Sequence, residues 1–212
     1  MELTREKCRV GRREARRIDR RDAILTVAYA SFLEHGYAAT TMSGIAATIG
    51  GSKATLWSYF PSKEALLEAV LDRATAVYRA QMSSLLNVSG DPTRTLRTFC
   101  NSFIERVTSP EAIALFRLAC AESGRFPEMG KIFHDRGPRT IQNLLGAFIA
   151  SAMERGLLRP DDPIRAARIL ISLCMSGSHQ RLLLGRLTEI TADMIAADAD
   201  AAFDVFVRAY AP

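Results

Sequence analysis

Two short amphipathic segments joined by a pair of glycines constrain the fold of this chain more than any other feature. In the first segment, Ile45, Ala46 and Ile49 are spaced as on one face of a helix. Thr41 precedes them, at a position where a hydroxyl can cap a free backbone amide. Gly50-Gly51 follows, and glycine adopts the left-handed backbone that ends a helix without a steric clash. The sequence therefore predicts a short helix that ends at the glycines.

A second short helix is predicted directly after the glycines. Ser52 is its expected N-cap, and Leu56 and Phe60, four residues apart, form its buried side. Two short helices joined by a glycine-containing turn make a helix-turn-helix. The solvent side of the second helix carries hydrogen-bond donors on Lys53, Thr55, Trp57, Ser58 and Tyr59. The 21 residues between Thr41 and Lys63 include no carboxylate, so this surface suits a polyanion.

This region resembles the DNA-binding region of the tetracycline-repressor (TetR) family. The residues that carry the resemblance are Arg21, Asp22, Ala23, Ile24, Leu25, Ala28, Phe32, Gly36, Tyr37, Thr40, Thr41, Ile45, Ala46, Gly50, Ser52, Lys53, Thr55, Leu56, Trp57, Tyr59, Phe60, Pro61, Ser62, Lys63 and Glu64. Three positions depart from the family pattern. Gly51 stands where valine is usual, Ala54 where glycine is common, and Trp57 where tyrosine is usual. The resemblance implies a helical transcriptional regulator that binds DNA as a dimer.

The positive charge of the chain is concentrated at its amino end. Residues 1–21 contain nine Lys or Arg and four Asp or Glu, whereas the rest of the chain contains 19 of each sign. Such asymmetry points to nucleic acid or to an anionic membrane surface. Residues 1–17 lack apolar periodicity and are predicted to form a mobile basic arm, on which Arg9, Arg13, Arg17 and Arg21 align if the first helix extends backwards. The membrane alternative is weaker, because the arm lacks the apolar face that a surface helix requires.

Alanine- and leucine-rich windows with few strand signals predict an all-α chain. The expected helices cover residues 18–35, 61–86, 93–108, 110–124, 138–156, 163–184 and 191–210, with a short one after Pro127. Residues 87–92 form the clearest break. The predicted organisation is a flexible basic arm (1–17), a three-helix helix-turn-helix DNA-binding head (18–62) and a helical effector-binding and dimerisation domain (63–212). The long helix near the start of that domain joins it to the head.

Residues typical of catalysis or metal binding do not cluster along the sequence. No Ser/His/Asp, Cys/His or paired-carboxylate pattern has a workable spacing, and no glycine-rich phosphate loop follows a strand. The three histidines are far apart, and the four cysteines lack CxxC spacing and are expected as buried free thiols. The sequence therefore predicts no enzyme, no cofactor and no metal site. Without a long apolar run or a signal core, a cytoplasmic protein that does not span a membrane is expected.

Most phenylalanines lie in the second domain. An aromatic stripe at helical spacing is usually plain core, and core is the default interpretation for most of them. The alternative is an apolar effector pocket with a few polar groups that fix orientation. The candidate lining residues are Phe99, Phe103, Phe116, Cys120, Phe133, Phe148, Met175 and His179, and Ser172, Ser176 and Gln180 are further polar candidates.

The expected partners are double-stranded DNA, a second copy of the chain and a small, mainly apolar effector. Thr41, Ser52, Tyr59 and Lys63 are predicted to hold phosphates, and Lys53, Ala54, Thr55 and Trp57 to face base edges or the adjoining backbone. Ser58, Arg17, Arg20 and Arg21 complete the predicted DNA surface. The last two helices are apolar on more than one face, so they either complete the monomer core or meet a partner subunit. The family resemblance favours the partner, because TetR-family dimers form a four-helix bundle from their final helices.

The function predicted from the sequence is that of a repressor released from a palindromic operator by its effector. The alternative is an effector-independent regulator or an activator of the same fold.

Overall fold

The computed structural model describes the backbone of residues 2–86 and 91–212, and within these ranges the side chains from residue 14 onward. These residues form eleven helices and no strand, which confirms the predicted all-α fold. The helices are α1 (Glu2–Ala39), α2 (Met42–Thr48), α3 (Lys53–Tyr59), α4 (Lys63–Leu85), α5 (Pro92–Val107), α6 (Pro110–Glu122), α7 (Pro127–Arg136), α8 (Pro138–Glu154), α9 (Pro163–Met175), α10 (Ser178–Leu183) and α11 (Ala192–Tyr210). The described part of the chain contains no helix with the length and apolarity needed to cross a membrane.

Helix α1 begins at Glu2, well before the predicted start at residue 18. The segment is rich in arginine and glutamate, which favour a helical backbone even where no apolar stripe directs packing. Side chains of the basic stripe are described only at Arg17 and Arg21, and both are exposed. Near its end the helix is interrupted at Gly36, whose φ of 81° lies in the left-handed region.

The single helix predicted over residues 163–184 is wrong, because the structure breaks it into α9 and α10 at Gly177. The cause is a tertiary contact. The Asp198 carboxylate of α11 accepts a hydrogen bond of 2.8 Å from the Ser178 N–H at the start of α10. A Cβ at Gly177 would lie 2.4 Å from Asp198 Oδ1, so only glycine lets the carboxylate approach this closely.

Helix α4 connects two hydrophobic clusters. Its first half contributes Leu66, Leu67, Val70 and Leu71 to a head cluster, which also contains buried residues of α1, α2, α3, α6 and α7. Its last turn contributes Met82 to a C-terminal cluster built mainly from α5, α8, α9 and α11. Val77, between these two parts of α4, is 71% exposed. The predicted break at 87–92 falls largely outside the described residues.

The head does not pack on α4 alone. Leu115 and Ala119 of α6, and Met129 and Ile132 of α7, belong to the head cluster. Helices α6 and α7 therefore contact the helix-turn-helix head directly, and a displacement of either one acts on the head.

Candidate nucleic-acid interface and effector cavity

The turn between α2 and α3 is closed by the backbone bonds that glycine permits. Thr41 Oγ1 accepts a hydrogen bond of 3.0 Å from the Gly44 N–H, which confirms it as the N-cap of α2. Gly50 has a φ of 61°, and the Gly51 N–H donates to the Ala46 carbonyl at 3.0 Å. This arrangement ends α2 and directs the chain into α3.

Helix α3 presents one side to the head cluster and the other to solvent. Ser52 Oγ accepts the Thr55 N–H at 3.1 Å and is therefore the predicted N-cap. Leu56 is fully buried. The solvent side exposes Ser52, Lys53, Ala54, Trp57 and Ser58, with Trp57 47% exposed, while Thr55 and Tyr59 are half-buried. The structure thus brings seven of the predicted DNA-contact residues onto this one short helix and its cap.

The hydroxyl groups of this surface differ in what they can offer to a phosphate. Ser58 Oγ donates to the Thr55 carbonyl at 2.7 Å, so its hydrogen is already used. Ser52 Oγ and Thr55 Oγ1 share one hydrogen bond of 2.8 Å, which leaves one of their two hydrogens free. Thr41 accepts a backbone N–H and can still donate its own hydrogen. Thr41 and Ser52 are consequently better phosphate donors than Ser58.

Two of the predicted arginines lie next to the helix-turn-helix. The Arg21 guanidinium lies 5.3 Å from the centre of the Phe60 ring. Arg20 crosses the turn, since a Cβ at Gly51 would lie 2.5 Å from its Nη2 atom. The small residue at position 51 therefore leaves room for a cation beside the start of α3. Arg17 is exposed and 4.0 Å from Glu14, too far for a strong ion pair.

Lys63 faces the protein rather than solvent in this structure. Its ammonium donates to the Tyr37 carbonyl and lies 4.1 Å from the centre of the Tyr37 ring. Burial lowers the pKa of Lys63. Tyr37 in turn donates to Glu64 Oε1 at 3.0 Å. A phosphate contact by the Lys63 ammonium requires it to leave Tyr37, whereas its backbone N–H at the start of α4 needs no such change.

A cavity of about 140 Å³ lies among the helices that follow the helix-turn-helix. Helices α4 to α10 all contribute to its wall. Of the predicted lining residues, the structure brings together Phe103, Phe116, Phe133, Met175 and His179. Phe116 packs edge-to-face against Phe133, with ring centres 5.8 Å apart, and against His179 at 5.3 Å.

The other predicted lining residues lie elsewhere. Phe99 and Phe148 are buried in the C-terminal cluster, and Cys120 is exposed on α6. Ser172, Ser176 and Gln180 are exposed as well. These corrections share one cause. Helical periodicity separates inward from outward positions, but it does not tell a packed interior from a cavity.

Several cavity residues were missed from the sequence, among them Tyr78, Arg79, Arg106 and Arg136. Arg136 donates to Asp72 Oδ2 at 3.1 Å and to Glu68 Oε2 at 2.9 Å, which ties α7 to α4 at the edge of the cavity. No sequence signal joins residues so far apart in the chain.

Sequence profiles of known families match most of the chain. Residues 24–70 match the family described as bacterial regulatory proteins of the tetR family, and residues 94–212 match the AefR-like transcriptional repressor C-terminal domain. The chain belongs to the TetR family. It is therefore a DNA-binding transcriptional regulator and not an enzyme, as the sequence predicted.

Individual relatives agree with this assignment. The chain is 31% identical to the flavonoid-responsive regulator FrrA, with a TM-score of 0.76 over 91% of this chain and 97% of that one. A TetR-family regulator from Mesorhizobium loti has a TM-score of 0.79 at 23% identity, over 92% of this chain and 98% of the other, and supports the fold alone. The transcriptional regulator RutR of Escherichia coli is 29% identical over an alignment of 158 positions, which covers 68% of this chain and 66% of RutR.

Proposed function

We propose that this regulator is a repressor that binds a two-fold symmetric operator as a homodimer and leaves it when a small, mainly apolar effector fills the cavity. The observation that carries the proposal is that the helices around the cavity also contact the helix-turn-helix head. Such a protein acts in the cytoplasm, where the DNA is. The repressor-type C-terminal profile supports repression as the output.

In the proposed complex, α3 enters the major groove. Lys53, Thr55 and Trp57 face base edges, with Lys53 the best candidate for guanine. Thr41, Ser52 and Arg20 hold the flanking phosphates. One helix-turn-helix contacts too few base pairs for useful specificity. The dimer is therefore expected to bind two half-sites one or more helical turns apart, about 34–36 Å for adjacent major grooves.

The C-terminal helices offer the surface for the dimer. Ile169 of α9 and Val205 of α11 are partly or largely exposed, and Leu184 after α10 is 78% exposed. Ala197 and Ala201 are exposed on α11, two turns and one turn before Val205. An apolar surface of this kind supports packing against a second copy.

The dimer is tested by a pair of matched substitutions. Val205→Asp places a charge in the proposed interface, while Val77→Asp places the same charge on the exposed side of α4. Light scattering coupled to size exclusion is expected to show a monomer for Val205→Asp and a dimer for Val77→Asp. A dimer that survives Val205→Asp places the interface elsewhere.

Two connections link the cavity to the head. Helix α4 runs from Tyr78 at the cavity to Leu66 in the head cluster. Helix α6 runs from Phe116 at the cavity to Glu122, whose Oε1 atom is 3.5 Å from the Ala38 N–H of the head. A ligand that displaces either helix changes the orientation of α3.

Glu122 can approach the head closely because Gly36 has no side chain. A Cβ at Gly36 would lie 2.6 Å from Glu122 Oε1, and the φ of 81° at this residue also favours glycine. The contact places the end of α1 beside the end of α6. A movement of α6 therefore reaches the head without passing through α4.

The aromatic lining of the cavity and the similarity to FrrA both favour an aromatic effector. Three phenylalanines and a histidine line the cavity, and FrrA, described as flavonoid-responsive, is 31% identical to this chain. Linkage requires the effector to bind the DNA-free conformation more tightly. A coupling of about 1–3 kcal/mol then weakens operator binding about 5- to 150-fold.

The test begins with selection of bound DNA from genomic fragments, followed by footprinting. Two protected half-sites related by a dyad are expected, and a single asymmetric protected patch contradicts the dimeric operator. The selected operator is then titrated with the protein in the presence of small aromatic compounds. If none of them changes protein stability or operator affinity, the protein is a regulator without an effector site.

A further inference from the structure

Two unpaired polar atoms in the cavity indicate what kind of molecule it accepts. Tyr78 Oη and His179 Nδ1 are buried, and neither has a hydrogen-bond partner in the part of the chain whose side chains are described. Both residues line the same cavity, and His179 is only 2% exposed. Nearly all buried polar groups in native proteins are paired, so an unpaired one at a cavity wall marks a position that a bound molecule can complete.

The charged groups around the cavity argue against an anionic ligand. No Asp or Glu is among the described residues that line it, and each of its three arginines has a carboxylate nearby or donates to a polar group. Arg136 is bonded to Glu68 and Asp72, and Arg79 is 3.7 Å from Asp72. Arg106 donates to a backbone carbonyl and to a serine hydroxyl. A carboxylate on the ligand would meet arginines whose charge Glu68 and Asp72 already offset in part, whereas an uncharged oxygen needs only the two unpaired atoms.

The size and walls of the cavity favour one aromatic ring. An engineered protein cavity of roughly 150 Å³ binds benzene, and this cavity measures about 140 Å³. Phe133, Phe116 and His179 already form an edge-to-face series, with interplanar angles of 88° and 86°. An aromatic ring placed beside them continues this packing. Burial lowers the pKa of His179, so its imidazole is neutral at pH 7 and Nδ1 either donates or accepts according to its tautomer.

We propose that the effector is an uncharged, single-ring aromatic molecule with a hydroxyl or carbonyl oxygen, in the simplest case a phenol. Its oxygen bonds Tyr78 Oη or His179 Nδ1, and its ring packs against Phe116. This inference rests on the proposed function, because it specifies the molecule that enters the effector cavity. Molecules with several rings exceed the resting volume and enter only when the surrounding helices move apart.

The test compares two probes of nearly equal shape, p-cresol and p-xylene, which differ by a hydroxyl in place of a methyl. Calorimetric titration of the wild type is expected to give at least tenfold tighter binding of p-cresol, or about 1.4 kcal/mol. Tyr78→Phe or His179→Phe keeps an aromatic ring, lowers the p-cresol affinity about five- to tenfold and leaves the p-xylene affinity unchanged. Tyr210→Phe, the same change on α11, which contributes no residue to the cavity wall, leaves both affinities unchanged.

A second readout separates recognition from a structural role. The Tyr78 hydroxyl bonds no described residue, so Tyr78→Phe is expected to leave the melting temperature of the free protein unchanged or to raise it. A lower melting temperature shows that the hydroxyl is already satisfied in the free protein and overturns the inference.

The remaining outcomes distinguish this inference from the proposed function. Equal affinity for p-cresol and p-xylene, unaffected by the Tyr78 and His179 substitutions, overturns the phenol class but leaves an apolar effector site in place. Tighter binding of 4-methylbenzoate than of p-cresol overturns it in favour of arginine recognition. If p-cresol binds and the operator complex persists, the site exists and the proposed release fails.

Discussion

The hydroxyl of Ser52 is expected to serve both the fold and the DNA complex, and Ser52→Ala separates these two roles. In the free protein Ser52 Oγ accepts the Thr55 N–H at 3.1 Å as the N-cap of α3. Loss of an N-cap costs about 1 kcal/mol, which lowers the melting temperature of a chain of this length by about 2–4 °C. Thr191→Ala is the matched control, because Thr191 caps α11 through a bond of 3.3 Å to the Met194 N–H and is exposed like Ser52.

The loss of DNA-binding free energy in Ser52→Ala is doubled, because a dimer inserts two α3 helices into the operator. A hydroxyl-to-phosphate bond has a net value of about 1 kcal/mol, so two half-sites lose about 2 kcal/mol and operator affinity falls about 30-fold. Thr191→Ala should show the same thermal shift without a change in operator affinity. Fluorescence anisotropy with the selected operator and a thermal melt measure both quantities.

Two results would refute this reasoning. If Ser52→Ala melts about 2–4 °C lower, the shift expected for a missing cap, but binds the operator like the wild type, the hydroxyl is only a helix cap. If Thr191→Ala weakens DNA binding equally, the loss comes from stability or dimerisation and not from a phosphate contact.

Three further perturbations test other parts of the account. Lys53→Ala should cost about 1–3 kcal/mol in operator binding and relax the base preference at one position per half-site. Lys131→Ala on α7 is the control and should change neither quantity. If Lys53→Ala weakens binding to all DNA sequences equally, Lys53 contacts only phosphate. Deletion of residues 1–17 should flatten the slope of log K against log salt by about 0.9 for each phosphate that the arm neutralises, and an unchanged slope removes the arm from the interface. Burial lowers the pKa of His179 in the folded protein. As the pH falls below the ordinary histidine pKa of 6.5, this side chain therefore binds more protons in the unfolded chain than in the folded one. Stability contributed by the neutral imidazole is present above pH 6.5 and is lost as the pH falls. The wild type should therefore lose more thermal stability than His179→Leu between pH 7.5 and 5.5, and equal losses contradict a buried neutral imidazole.

The sequence predicted the parts of the fold that depend on neighbouring residues. The caps at Thr41 and Ser52 are confirmed, because a side-chain cap bonds an amide only a few residues away. The break at Gly177 was missed, because its cause is the Asp198 carboxylate on another helix. Local pattern carries no information about such a contact.

In the candidate sites too, the sequence predicted what depends on neighbouring residues and missed what depends on tertiary contacts. The exposed residues of α3 follow from its period, since Leu56 fixes the buried side and the opposite side must face solvent. Lys63 could not be placed this way, because its carbonyl partner on Tyr37 is brought near only by the packing of α1 on α4. Phe99 and Phe148 have the same apolar pattern as Phe103 and Phe116 and differ only in what surrounds them.

Reciprocal binding measurements test the central claim most directly. The dissociation constant of the operator complex is measured with and without a saturating cavity ligand, and that of the ligand with and without saturating operator. The account predicts that both constants rise by the same factor, between about 5 and 150, because linkage makes the coupling reciprocal. A ligand that binds the free protein and the operator complex with equal affinity would contradict regulation through this cavity.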